Sequence, residues 1–232
     1  SSINAKISSF GKIQNALGTL RDKAAAFNST ELWGRTTTTL TDATVATVTS
    51  LSGQNGVAGS HTLQVDALAA TQTVSSKAFS SSTASLSEGT LTIDIGNWTG
   101  GAPPTAFTSK SGTSGITISI GSGDTTLGSI RDKINAASAG VTAGIITDAS
   151  GARLTLRSTS TGEENAFRIS ASETSDDGNA ATGLSALAYD AMATSSPMTL
   201  SQSARNARAV VNGISVTSAS NTLDGVIEGV SI

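Results

Sequence analysis

The sequence predicts an α+β protein in which an N-terminal helical leg is followed by two β-rich domains, one inserted into the other. Three observations predict it. Apolar residues recur at helical spacing over the first 27 positions, and from Leu63 onward the apolar pattern alternates as in strands. A strand near Leu63 and a hairpin at Val211 to Ile214 look like parts of one domain, with the Leu91 to Ile169 block between them.

The leg rests on Ile3, Ile7, Phe10, Ile13, Leu17, Leu20, Ala24 and Phe27, which follow one another in steps of three and four with no proline among them. That spacing makes a single apolar stripe on a long helix, with Lys6, Lys12, Arg21, Asp22 and Lys23 off it. Asn28-Ser29-Thr30 supplies a stop. The stripe calls for a companion, and no equally long helical pattern follows. Ile3, Ile7, Phe10, Ile13, Leu17, Leu20 and Phe27 are therefore the candidate helix-packing or oligomer interface.

The remainder reads mainly as strands. A Thr-rich run from Trp33 to Ser50 leans to β-structure, and after Gly53, Gly56 and Gly59 the alternation Leu63-Gln64-Val65 marks a half-buried strand. A short helix is expected over Leu68 to Val74. Alternating runs follow at Leu91/Ile93/Ile95, Ile116/Ile118/Ile120, Val141/Ala143/Ile145, Leu154/Leu156 and Phe167/Ile169, and Gly96 to Gly115, with Pro103-Pro104, reads as a loop. Asp124, Thr125 or Thr126 caps a helix that buries Leu127, Ile130 and Ile134. After a loop-rich stretch from Ser172 to Ser203, Asn212-Gly213 joins two alternating strands, a strong hairpin signal because both turn residues accept positive φ. The expected domains are 1–48 (leg and linker), 49–80 with 200–232 (first head domain) and 81–199 (inserted head domain).

Composition narrows the function. The 232 residues include no Cys and one His, 13% are charged and 3% aromatic, and the net charge is −3. Nucleic-acid binding, which needs a clustered basic face, is excluded as an expectation. No run approaches the roughly 18 apolar residues of a membrane span. Small residues (Ser, Thr, Ala, Gly) supply about half the chain, suited to β-surfaces rather than aromatic cores. The 37% hydrophobic content still argues against wholesale disorder.

Catalytic and metal candidates are sparse. His61 has no second His or Cys with which to hold zinc, and a triad from His61, Asp66 and one of many serines lacks a nucleophile-elbow context. Ser9-x-x-Lys12 matches a Ser/Lys pattern, but on the polar side of a helix. Gly121-Ser-Gly123-Asp124 lacks phosphate-loop spacing, and Asp176-Asp177-Gly178-Asn179 lacks calcium-loop spacing. The sequons at Asn28 and Asn97 add little. No catalytic residue, metal ligand or cofactor is expected, and the chain is read as a structural protein rather than an enzyme.

One unit occurs twice. Ile120-Gly-Ser-Gly-Asp-Thr-Thr126-Leu127-Gly-Ser-Ile130 matches Val216-Thr-Ser-Ala-Ser-Asn-Thr222-Leu223-Asp-Gly-Val226 in spacing, and each copy then reaches a glycine and a strand, Gly140-Val141 and Gly229-Val230. Each copy is expected to hold a capped helical turn, the second shorter. With the segment Leu63 to Gln72 and the leading Phe10 to Leu17, these motifs make the chain resemble the bacterial flagellar filament cap protein (hook-associated protein 2) family over nearly its whole length. The resemblance implies a secreted structural protein at the filament tip that forms a ring-shaped homo-oligomer, promotes folding and insertion of flagellin, and meets other hook-associated proteins and a flagellar export chaperone, with an accessory adhesive role. It also implies coiled-coil-forming termini and a C-terminal helical half beyond Ile232, so the chain is expected to be a trimmed fragment. Alternatives are a hook-filament junction protein, which should lack the Leu63 to Gln72 segment, and a Ser/Thr-rich adhesin, which should bind a glycan or receptor through its loops.

Overall fold

In a computed structural model of the chain, the structure describes residues 2–28, 37–51 and 58–232. The helix stop at Ser29-Thr30, the start of the Thr-rich run at Trp33, and Gly53 and Gly56 lie outside the described residues. In chain order the elements are α1 (Ser2–Phe27), β1 (Thr49–Ser50), β2 (Leu63–Ala67), β3 (Thr73–Ser75), β4 (Gly89–Thr99), β5 (Ala106–Ser109), β6 (Ile116–Ile120) and α2 (Leu127–Ala136). They continue with β7 (Val141–Asp148), β8 (Gly151–Ser158), β9 (Ala166–Glu173), β10 (Thr199–Gln202), β11 (Ala207–Val211), β12 (Ile214–Ser218), β13 (Asp224–Ile227) and β14 (Val230–Ser231). The architecture is the predicted α+β one, a leading helix followed by β-rich structure. Contacts divide the chain into one unit of Ser1–His61 with Thr222–Ile232 and another of Thr62–Asn221.

The first unit holds α1 and a three-stranded sheet in the order β1-β14-β13. Its sheet corrects the second copy of the repeat, in which the expected helical turn is instead strand β13. Leu223 and Ile232 exchange backbone hydrogen bonds, and β13 pairs back on β14 through Ile227 and Val230. Gly225, at φ +71°, with Val226 and Ile227 following, makes this a poor helix and a good strand turn.

The second unit contains three antiparallel groupings. β4 is the axis of one: it pairs with β9 from Gly89 to Gly96 along one edge, and with β6 and then β5 along the other. The second is a four-stranded sheet, β10-β3-β8-β7, and the third is β12-β11-β2. Leu91 and Ile93 of β4, Ile118 and Ile120 of β6, Leu154 and Leu156 of β8 and Phe167 of β9 form one core with Leu127, Ile130 and Ile134 of α2. The alternation read from the sequence therefore marks the buried face, except that Ile116 is exposed and Ile95 and Ile145 are only half-buried.

The first copy of the repeat is helical as expected, and Thr126 is the cap: its hydroxyl accepts the Ser129 amide at 3.1 Å. The Asn212-Gly213 turn also forms, with φ of 51° and 82° and β11 and β12 paired from Ala207↔Ser218 to Val211↔Ile214.

Two local expectations fail. Leu68 to Val74 is extended, because Ala70 and Arg205 exchange backbone bonds, Gln72 and Ser158 bond each other, and Thr73 and Val74 enter β3. Gly96 to Gly115 is a loop only in part: Gly96 to Thr99 pair with Ser109 to Ala106 as a hairpin, while the tip around Pro103-Pro104 and the stretch 110–115 before β6 are irregular. In the first segment paired backbone outweighs a local helical pattern, and in the second it outweighs a composition rich in turn residues.

Candidate functional site

All seven interface candidates lie on α1, and all are exposed, from 56% at Ile13 to 73% at Phe10. No residue of the helix is buried. At 1.5 Å per residue its 26 residues span roughly 39 Å. The Ser9 and Thr19 hydroxyls donate to the Ala5 and Asn15 carbonyls, both at 2.9 Å, so the polar side is satisfied within the helix. Ser9 therefore has a backbone partner, and with Lys12 it lies on an open helix surface that encloses nothing.

The large apolar side chains of the other side are exposed. Helices in water draw most of their stability from packing an apolar face. Gly11 and Gly18, each about 1 kcal/mol worse than alanine in a helix interior, weaken this one further. Burying each large apolar side chain would contribute about 1.5–3 kcal/mol.

The chemical candidates stay scattered. His61 is exposed, and the Asp66 carboxylate accepts a hydrogen bond from Gln64 Nε2 at 2.7 Å. Asp124 ends the turn before α2 and pairs with Lys133 at 2.7 Å. Asp176 and Asp177 accept the Gly178 and Asn179 amides, and the Thr182 hydroxyl, followed by the Asn179 amide, holds the Asp177 carboxyl below its ordinary value. Those carboxylates order a turn. Among the described residues no three His, Cys, Asp or Glu side chains gather into a metal-binding group.

Side chains that sequence reasoning passed over fasten the second unit. Asn221 Oδ1 accepts the Ala69 amide at 2.7 Å, Thr161 donates to the Ala219 carbonyl at 2.7 Å, and Asn206 Oδ1 accepts the Glu163 amide at 2.9 Å. The first ties the ends of β2 and β12 together, and the other two join the β2-β11-β12 region to the connection between β8 and β9. Their signal in the sequence is weak, since Asn and Thr are common turn residues. Asp94, 7% exposed, accepts hydrogen bonds from Ser109 and Arg168, and the Arg168 guanidinium lies 4.8 Å from the Phe107 ring centroid. Phe107 in turn packs against Trp98, centroid to centroid 4.5 Å. The hairpin of β4 and β5 is thereby held rigidly on the core.

A cleft of about 660 Å³ lies within this unit, walled by Trp98, Tyr189, Met198 and the Pro103-Pro104 tip. Burial, followed by the neighbouring Asp190 charge, raises the Tyr189 hydroxyl above its ordinary value, so it stays protonated. Its walls come from segments far apart in the chain, and no sequence motif announces them.

Residues 1–72 match the family model described as flagellar hook-associated protein 2 N-terminus, and residues 106–160 match the flagellin hook IN motif. The second match covers the helical copy of the repeat. The chain is 35% identical over 227 residues to flagellar hook-associated protein 2 of Escherichia coli (strain K12), covering 96% of this chain and 44% of that protein. It thus spans less than half the length of that relative. Among solved structures, it is similar to the flagellar cap protein FliD from Escherichia coli, with a TM-score of 0.76, 30% identity, and coverage of 97% of this chain and 58% of the other. It is also similar to FliD (HAP2) from Pseudomonas aeruginosa, with a TM-score of 0.61, 32% identity, and coverage of 80% and 76%.

Proposed function

Because the chain belongs to the flagellar hook-associated protein 2 family, we propose that it is part of a structural cap at the distal end of the bacterial flagellar filament. The observation that carries this reading is the similarity over 97% of the chain to a protein named as a flagellar cap. In this role it is exported to the filament tip, forms a homo-oligomeric ring, and promotes folding and insertion of flagellin. Other hook-associated proteins and an export chaperone are its further partners.

The residues support a steric mechanism. A β-rich body cross-linked by buried hydrogen bonds supplies a stiff plate, and α1 supplies an apolar surface that requires company. Ile3, Ile7, Phe10, Ile13, Leu17, Leu20 and Phe27 would meet a helix of the same full-length protein or of a neighbouring subunit. The head domains proposed from the sequence, 49–80 with 200–232 and 81–199, would form the plate, with 1–48 as the leg. No bond is made or broken in such a device. Association energy and geometry do the work.

The test is complementation of a cap-deficient strain with the full-length protein containing this chain. Restored filaments, with less flagellin lost to the medium, are expected. Short or absent filaments with wild-type export of the protein would overturn the reading.

A further inference from the structure

The cleft in the second unit has two properties that the cap reading does not use. The first is charge. Glu163 and Asp190 both line it, and no Lys, Arg or His does. Asp190 uses Oδ1 to accept the Met192 amide, and the Glu163 carboxylate forms no hydrogen bond or ion pair among the described residues. The Trp98 and Tyr189 rings line the same cleft, their centroids 6.3 Å apart, an environment that favours a cation carried on an apolar stem.

The second property is backbone. β10 is a terminal strand of its sheet, paired with β3 alone. The pairing shifts register between Leu200 and Gln202, which ends the straight part of the edge at Thr199 and Leu200, and both of these residues line the cleft. All four residues of β10 are exposed, and none is the lysine or proline that usually guards an edge. The volume, about 660 Å³, suits a bound side chain with its flanking peptide rather than a single ion.

We propose that this cleft is a peptide-recognition site. An extended segment of a partner protein adds as a strand along β10 and places an arginine or lysine between Glu163, Asp190 and the Trp98 ring. Main-chain pairing supplies affinity, and the acidic, aromatic cleft supplies specificity. This reading stands independently of the cap function.

The test uses the 232-residue chain and a fluorescent, acetylated and amidated Thr-Val-Arg-Val-Thr peptide, read by anisotropy. Saturable binding is expected, with amide shifts at Thr199 and Leu200 in NMR spectra. Replacing the peptide's arginine by glutamate should weaken binding at least tenfold, and N-methylating its two valines should abolish strand pairing and binding. The double variant E163Q/D190N should bind about threefold to tenfold more weakly while keeping the β-type circular dichroism spectrum. Should that variant not fold, the arginine-to-glutamate comparison on the unaltered chain decides alone. No saturable binding below millimolar peptide, equal affinity for the arginine and glutamate peptides, or indifference to N-methylation would each overturn the proposal. So would self-association of the chain that occupies the cleft and excludes the peptide.

Discussion

Gln72 bonds both backbone groups of Phe167: its Nε2 donates to the Phe167 carbonyl at 2.7 Å, and its Oε1 accepts the Phe167 amide at 3.3 Å. One side-chain amide thereby takes the place of a neighbouring strand at the start of β9, and the same Oε1 also accepts the Trp98 indole N–H at 3.2 Å. Gln72 is 1% exposed, so water cannot replace it. Gln72→Ala is expected to cost about 2–5 kcal/mol, because buried donors and an acceptor are left unpaired. Urea unfolding monitored by circular dichroism checks this, and a loss under 1 kcal/mol would show the network to be dispensable.

The helical copy of the repeat separates capping from packing. Leu127 is fully buried, and Leu127→Ala should cost about 2–5 kcal/mol, whereas Thr126→Ala, which removes only the cap, should cost about 1 kcal/mol. Equilibrium unfolding of both variants measures the ratio.

At the hairpin, Asn212 adopts φ 51° and its Oδ1 accepts the Thr62 amide at 2.9 Å. Asn212→Gly keeps the backbone freedom and loses that hydrogen bond; Asn212→Ala loses both. Asn212→Ala should be the less stable of the two by about 1 kcal/mol. Paired thermal melts check the order, and equal melting temperatures would remove backbone strain from the account.

Acid should loosen the segment after β9. Burial acts most strongly on Glu173 and opposes its ionisation, but hydrogen bonds from the Ser185 amide and from the Ser87 and Ser185 hydroxyls together hold its carboxyl below the ordinary glutamate value. A lowered folded-state value means stabilisation that is fully present above the unfolded value, about 4.3, and lost as pH falls through the folded one. The urea midpoint is therefore expected to fall between about pH 5 and pH 3, and Glu173→Gln should flatten that dependence.

The stripe on α1 predicts an assembly defect without a folding defect. Phe10→Glu with Leu17→Glu in the full-length protein should lower its oligomer mass by light scattering. Backbone hydrogen exchange across Thr62–Asn221 should stay unchanged. Wild-type assembly would mean that the stripe is not an interface.

Local patterns alone determined α1, the buried face of α2, the alternating strands and the Asn212-Gly213 turn. Each is set by contacts within a few residues or by the period of a single element, and both are written directly in the order of side chains. The cap of α2, open in the sequence among Asp124, Thr125 and Thr126, was decided as Thr126 by the structure. Tertiary structure decided where a short segment had two comparable options. Leu68 to Val74 became extended because Arg205 and Ser158 offered backbone and hydroxyl partners, and Thr222-Leu223 began a strand turn because Ile232 was there to pair with it. The cleft is tertiary for the same reason: Trp98, Glu163, Tyr189 and Leu200 meet only after β4, β9 and β10 have been set in place. The stripe from Ile3 to Phe27 lies between these cases. The sequence marks it as a candidate packing surface, and in the structure its large apolar side chains are exposed.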